Sequence, residues 1–123
     1  MSARLWHYTC ADAAPLIERA GFLLPNAHPW LQQPLTWATD LEPGDVPDLD
    51  LALGLRGAHA TCDRTEYRFE VADVDAFTPW TRYAHDERVA WQVRHALEST
   101  PGGFPRHWHV ATRPALVVVG APA

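Results

Sequence analysis

The chain contains no lysine, so its ten basic residues are all arginine, set against fifteen carboxylates for a formal net charge of −5. A domain that follows a phosphate backbone gathers basic residues on one surface, whereas these arginines are scattered. Nucleic acid is therefore disfavoured as the principal ligand. Cysteine is scarce too: Cys10 and Cys62 alone do not make a disulfide scaffold, and both are expected as thiols. No apolar run approaches the roughly 18 residues that span a bilayer. The segment from Met1 to His7 lacks a signal-peptide core, and a cytoplasmic protein is expected. There is no Gly-rich phosphate loop, which argues against nucleotide binding of the doubly wound or P-loop kind.

What is present describes a globular chain. With 47% hydrophobic and 20% charged residues, the composition is that of a folded protein, and the length suits a single domain over residues 1–123. Six tryptophans are an unusual number for this length. Large flat rings mostly fill cores, but they also stack on nicotinamide, adenine or nucleobases.

Hydrophobic periodicity divides the chain into short elements. Residues 5–9 read as a strand. Residues 10–20 read as a helix, with Ala13, Leu16, Ile17 and Ala20 at helical spacing, Asp12 as cap, Pro15 in the first turn and Gly21 as stop. A brief extended piece at 22–24 is followed by a Pro-rich loop, a strand over 34–39 ended by Asp40, and an exposed loop over 41–50. Residues 51–55 fit a helical turn or a strand. Residues 65–71 alternate Tyr67, Phe69 and Val71 with charged residues, as in a half-buried strand. A second helix is expected over 85–99, stopping before Pro101-Gly102-Gly103, then strands over 106–111 and 115–119, the last apolar enough for a central position. This mixed order implies an α+β fold with two main helices, not a regular βαβ array.

Three short motifs fall on expected strands. His7-Tyr8-Thr9 places an imidazole and a hydroxyl two residues apart, on the same side of a strand. Thr36-Trp37-Ala38-Thr39-Asp40 carries an aromatic followed by small residues. Thr65-Glu66-Tyr67-Arg68-Phe69-Glu70-Val71 delivers a carboxylate followed by an aromatic and alternating apolar residues. Taken singly, each has an ordinary structural explanation: a satisfied histidine, a core tryptophan, a solvated glutamate on a polar strand face.

Taken in order, the three motifs resemble those of ADP-ribosyltransferases of the polymerase-like and rifampicin-modifying kinds. The resemblance implies a small two-sheet domain with NAD as substrate. It implies that His7 and Thr9 contact a ribose, that backbone beside Tyr8 holds the nicotinamide amide, and that Trp37, with Thr39 nearby, stacks on nicotinamide. Glu66 would be the catalytic carboxylate, stabilising positive charge on the sugar as nicotinamide leaves. Tyr8 stands where the family usually has Gly. Polymerase-like members also carry the Glu strand near the carboxyl terminus, whereas about fifty residues follow it here. Under an alignment to the rifampicin-modifying type, which has a late segment similar to residues 112–120, the acid becomes another residue such as Asp73 or Asp75; Glu70 is the second choice on the strand itself. Arg64 suits the pyrophosphate, with Arg4 and Arg68 as rivals.

His107-Trp108-His109 puts two imidazoles on one strand face. The spacing suits zinc if His85, His95, Cys62 or Asp63 converges on it, and it equally suits an acid and base pair for RNA cleavage. The leading expectation is a mono-ADP-ribosyltransferase, toxin-like, whose acceptor is a protein or small molecule in preference to nucleic acid. The alternatives are a His-dependent nuclease or phosphotransferase using His7, His107 and His109, and a non-catalytic module that binds a protein partner.

Overall fold

The computed structural model describes residues 4–53, 65–99 and 103–118. Strand β1 (Trp6–Thr9) runs into helix α1 (Ala14–Ala20) and the short β2 (Phe22–Leu23). After the Pro-rich loop come β3 (Thr36–Thr39), the helical turn α2 (Leu49–Ala52) and β4 (Tyr67–Glu70). Then follow β5 (Thr78–Pro79), α3 (Trp80–Asp86), α4 (Trp91–Glu98), β6 (Trp108–Ala111) and β7 (Ala115–Leu116). Five strands form an antiparallel sheet in the order β4-β1-β3-β6-β5, and β2 pairs with β7 in a second sheet. The fold is a small α+β arrangement of two antiparallel sheets.

Side-chain alternation divides the large sheet into two faces. On one, Leu5 and Ala38 pack with Leu23, Val71 and Val117, joined by Ile17 of α1 and by Phe69. On the other, Leu35, Trp108 and Val110 pack against Trp80 and Ala84 of α3. Trp37 belongs to this second face, its ring centroid 5.2 Å from that of Trp80 and 6.2 Å from that of Trp108. Much of the tryptophan excess is thus spent on core packing.

Several elements differ from their sequence patterns, each for a local reason. Helix α1 begins at Ala14, because the Cys10 carbonyl accepts from the N–H groups of Ala13 and Ala14 and forms a turn first. Asp12 provides no cap; Ala13 occupies the cap position without a side-chain hydrogen bond. Gly21 ends the helix as expected, at φ 79°, its N–H returning to Ile17 O. The helix expected over 85–99 is split. Arg88 adopts φ 53°, and the chain turns so that Val89 packs against the Trp80 core before α4 begins at Trp91. α3 and the edge strand β5 carried no sequence signal of comparable strength. Of the segment expected as a central strand over 115–119, Ala115 and Leu116 pair instead with β2 in the small sheet, Val117 bridges Val71 beyond the end of β4, and residue 119 lies outside the described residues. There Ala115 and Val117 face the core and Leu116 faces solvent. Among the described residues, no helix is long and apolar enough to cross a membrane.

Candidate functional site

The register between β1 and its two neighbours sets up the first feature. β1 pairs with β4 along its whole length, from Trp6 opposite Glu70 to Thr9 opposite Tyr67. The Val71 N–H donates to the Leu5 carbonyl, which makes Leu5–Val71 a hydrogen-bonded pair. Alternation then commits the peptide groups of His7 and Thr9 to β4 and turns those of Trp6 and Tyr8 toward β3. Among the described residues, β1 and β3 are in register only at Trp6 and Thr39. Beyond that pair the strands part. The Trp37 carbonyl, which faces β1, accepts a 2.7 Å hydrogen bond from Nδ1 of the His7 imidazole. The N–H and C=O of Tyr8 therefore face β3 beyond the last β1–β3 pair in register among the described residues, at the seam between the two strands.

The sequence-derived residues distribute around this seam unevenly. His7 and Thr9 share the face that carries Phe69, with His7 half-buried and Thr9 buried. Trp37 lies on the opposite face, in the aromatic core, so stacking on a nicotinamide held beside His7 is corrected: its ring already packs on Trp80 and Trp108. Thr39 is likewise engaged, its hydroxyl donating to His107 O and accepting from Leu41 N–H. The Tyr8 ring is buried and its hydroxyl donates to Leu41 O at 2.9 Å; burial pushes the phenol above its ordinary pKa. Glu66 is exposed one residue before the Tyr67–Thr9 pair, at the end where β1 and β3 part.

The rival carboxylates and arginines are mostly committed elsewhere. Glu70 takes two 3.0 Å bonds from Arg4, whose guanidinium holds the carboxyl below the ordinary range. Asp73 pairs with Arg113, and Asp75 is exposed on a 3-10 turn. Arg68 bonds Glu42 and lies 4.0 Å over the Trp6 ring. Arg64, Cys62 and Asp63 lie outside the described residues.

The second feature was only half legible. His107 and His109 do share one side of the chain entering β6, and Asp40 stands between them. His107 Nδ1 donates to Asp40 Oδ1 at 2.7 Å, while His109 Nε2 lies 3.8 Å from Asp40 Oδ2. Among the described residues His109 Nε2 is buried without a hydrogen-bond partner, and burial, more than the repulsion from His107, pushes its pKa below the usual histidine value against the attraction of Asp40. A cavity of about 490 Å³ opens beside the pair. Asp40, Leu41, Asp45 and Val46 line one side of it, and Phe104, Arg106 and His107 the other. Among the described residues, no set of three or more His, Cys, Asp or Glu side chains is arranged to hold a metal ion.

Asp40 joins this cluster from 67 residues away, a separation that no local motif reveals. The loop over 41–50, expected to be merely exposed, is tied down by Tyr8 to Leu41, by Arg68 to Glu42 and by Asp45 to the Glu42 N–H, and so becomes a wall of the cavity. No family model matches the chain, and neither a curated protein nor a solved structure matches it.

Proposed function

We propose that the chain is an NAD-dependent mono-ADP-ribosyltransferase. The observation that carries this reading is the seam at Tyr8. Alternation turns the N–H and the C=O of Tyr8, from the two peptide groups that flank it, toward β3 beyond the last registered β1–β3 pair, and a primary carboxamide such as that of nicotinamide is the complement of that donor and acceptor. His7 stands next to it, its ring oriented by the Nδ1 bond to the Trp37 carbonyl. Glu66, exposed just before β4 on the far side of β1 from the seam, is the carboxylate assigned to steady a positively charged sugar as nicotinamide departs. Trp37 takes no part in stacking. Net charge favours a protein or small-molecule acceptor over nucleic acid.

Calorimetric NAD binding and nicotinamide release, measured on wild type, His7→Ala and Glu66→Gln, test the proposal. Saturable binding is expected in wild type, weakened by His7→Ala. Glu66→Gln should bind NAD but release nicotinamide at least roughly 100-fold more slowly, as loss of an electrostatic stabiliser predicts. Absence of binding at millimolar NAD would leave a non-catalytic module as the better description.

A further inference from the structure

We propose that the cavity beside Asp40 binds a free amino acid with an apolar side chain, its ammonium group toward Asp45 and Asp40 and its carboxylate toward Arg106. The inference stands apart from the NAD reading. The register of Trp6 with Thr39 puts Asp40 past the Trp6 end of β1, whereas Tyr8 and Glu66 belong to the Thr9 end.

Two chain segments bring opposite charges to the cavity without pairing them. The loop after β3 contributes Asp40 and Asp45, and the turn before β6 contributes Arg106. Among the described residues, Asp40 bonds His107 and Asp45 Oδ2 accepts from the Glu42 N–H, while Arg106 takes part in no hydrogen bond or ion pair. The guanidinium and the carboxylates share one cavity but no bond. A ligand with only a positive group leaves Arg106 opposed to it, and one with only a negative group meets two carboxylates. An aminocarboxylate answers both sides at once, through charge-assisted hydrogen bonds to Arg106 and to Asp45. Two carboxylates also oppose a diphosphate, which separates this ligand from NAD.

The rest of the lining suits an apolar side chain. Leu41 and Val46 supply aliphatic surface, and Phe104, 38% exposed, supplies a ring. The volume of about 490 Å³ falls within the range of small-molecule sites. Hydrogen bonds hold both walls in place. On one side Leu41 O accepts from the Tyr8 hydroxyl, and the Leu41 N–H donates to the Thr39 hydroxyl. On the other, the His107 N–H donates to Phe104 O at 2.9 Å, and the Phe104 N–H donates to Ala52 O at 3.1 Å. The Thr39 hydroxyl, donating to His107 O, joins the two sides. Walls held in this way need little ordering when a ligand arrives, which favours binding.

An amide chemical-shift titration of the isotope-labelled full chain at neutral pH tests the proposal, with phenylalanine as probe. Phenethylamine, which lacks the carboxylate, and 3-phenylpropionate, which lacks the ammonium, are the comparisons. Phenylalanine should give saturable shifts confined to residues 40–46 and 104–107, and each comparison ligand should bind at least about tenfold more weakly, as loss of one charge-assisted bond predicts. Arg106→Gln should weaken phenylalanine by a similar factor and leave phenethylamine no weaker than on wild type. Asp45→Asn, whose side-chain oxygen can still accept from the Glu42 N–H, should weaken phenylalanine and leave 3-phenylpropionate no weaker. A merely structural role of either residue would weaken all three ligands alike, and that outcome would overturn the assignment. So would phenethylamine binding as tightly as phenylalanine, which describes a cation site only. Absence of saturable shifts in these two segments at tens of millimolar phenylalanine would also overturn it, and the NAD reading would stand or fall separately.

Discussion

The imidazole Nδ1 of His7 donates to the Trp37 carbonyl oxygen at 2.7 Å, so a side chain holds the position that the β1–β3 ladder would otherwise occupy. Removing it leaves a part-buried carbonyl without this donor. His7→Ala should therefore destabilise the fold by about 1 kcal/mol, the typical net worth of such a bond, and should lower NAD affinity as well. Urea unfolding gives the first quantity and calorimetry the second. His7→Asn, which can still donate from its side-chain amide, should recover part of the stability.

Tyr8 links β1 to the cavity wall through its buried hydroxyl and Leu41 O. Tyr8→Phe should cost about 1–2 kcal/mol in urea unfolding, because the buried acceptor is left unsatisfied. Burial raises the phenol pKa above 10.0, so folding favours the protonated ring. The contribution of this group to stability is whole below pH 10 and is lost as pH climbs from there through the higher folded value. Ultraviolet titration of wild type against Tyr8→Phe should locate this late ionisation.

The two tryptophans at the helix starts should behave in opposite ways. Trp80 is fully buried between Trp37 and Tyr83, and Trp80→Ala should cost about 3–5 kcal/mol, enough to unfold a marginal domain. Trp91 stacks on His95 but is 70% exposed, and Trp91→Ala should change stability by no more than about 0.5 kcal/mol. Thermal and urea unfolding of both variants checks the contrast.

Histidine 109 makes stability sensitive to mild acid. Burial holds its pKa below 6.5, against the pull of Asp40, so in the folded protein it stays neutral at a pH where the unfolded chain already binds a proton. Stability is therefore whole above about pH 6.5 and falls as pH drops from there toward the lower folded value, where the loss levels off. His109→Gln should flatten this part of the stability profile measured by thermal unfolding from pH 7.5 to 5.

Much of this fold could be read from alternation alone. Tyr67, Phe69 and Val71 announced β4, Gly21 announced the end of α1, and the aromatic-rich start announced β1. What escaped had no local cause. The break at Arg88 serves the packing of Val89 on Trp80, a contact that helical periodicity over 85–99 does not register. The apolar run from Ala115 suits the inside of a large sheet or the edge of a small one; only its pairing, with β2 at Ala115 and Leu116 and with Val71 at Val117, decides. At the site, His7 was legible because its strand was, whereas the side taken by Trp37 depended on the register with β6. Asp40 was visible as a strand terminator, but its meeting with His107 depends on β3 and β6 being neighbours.

The central claim is that the N–H and C=O of Tyr8 hold a primary carboxamide beside β3. The most direct measurement is an amide chemical-shift titration of the isotope-labelled protein with nicotinamide, with nicotinic acid, which lacks the amide donor, as control. Saturable shifts at Tyr8 and at the His7 ring with nicotinamide, and none with nicotinic acid, are the expected result. A Tyr8 amide that stays unmoved at saturating nicotinamide while other residues shift would contradict the account.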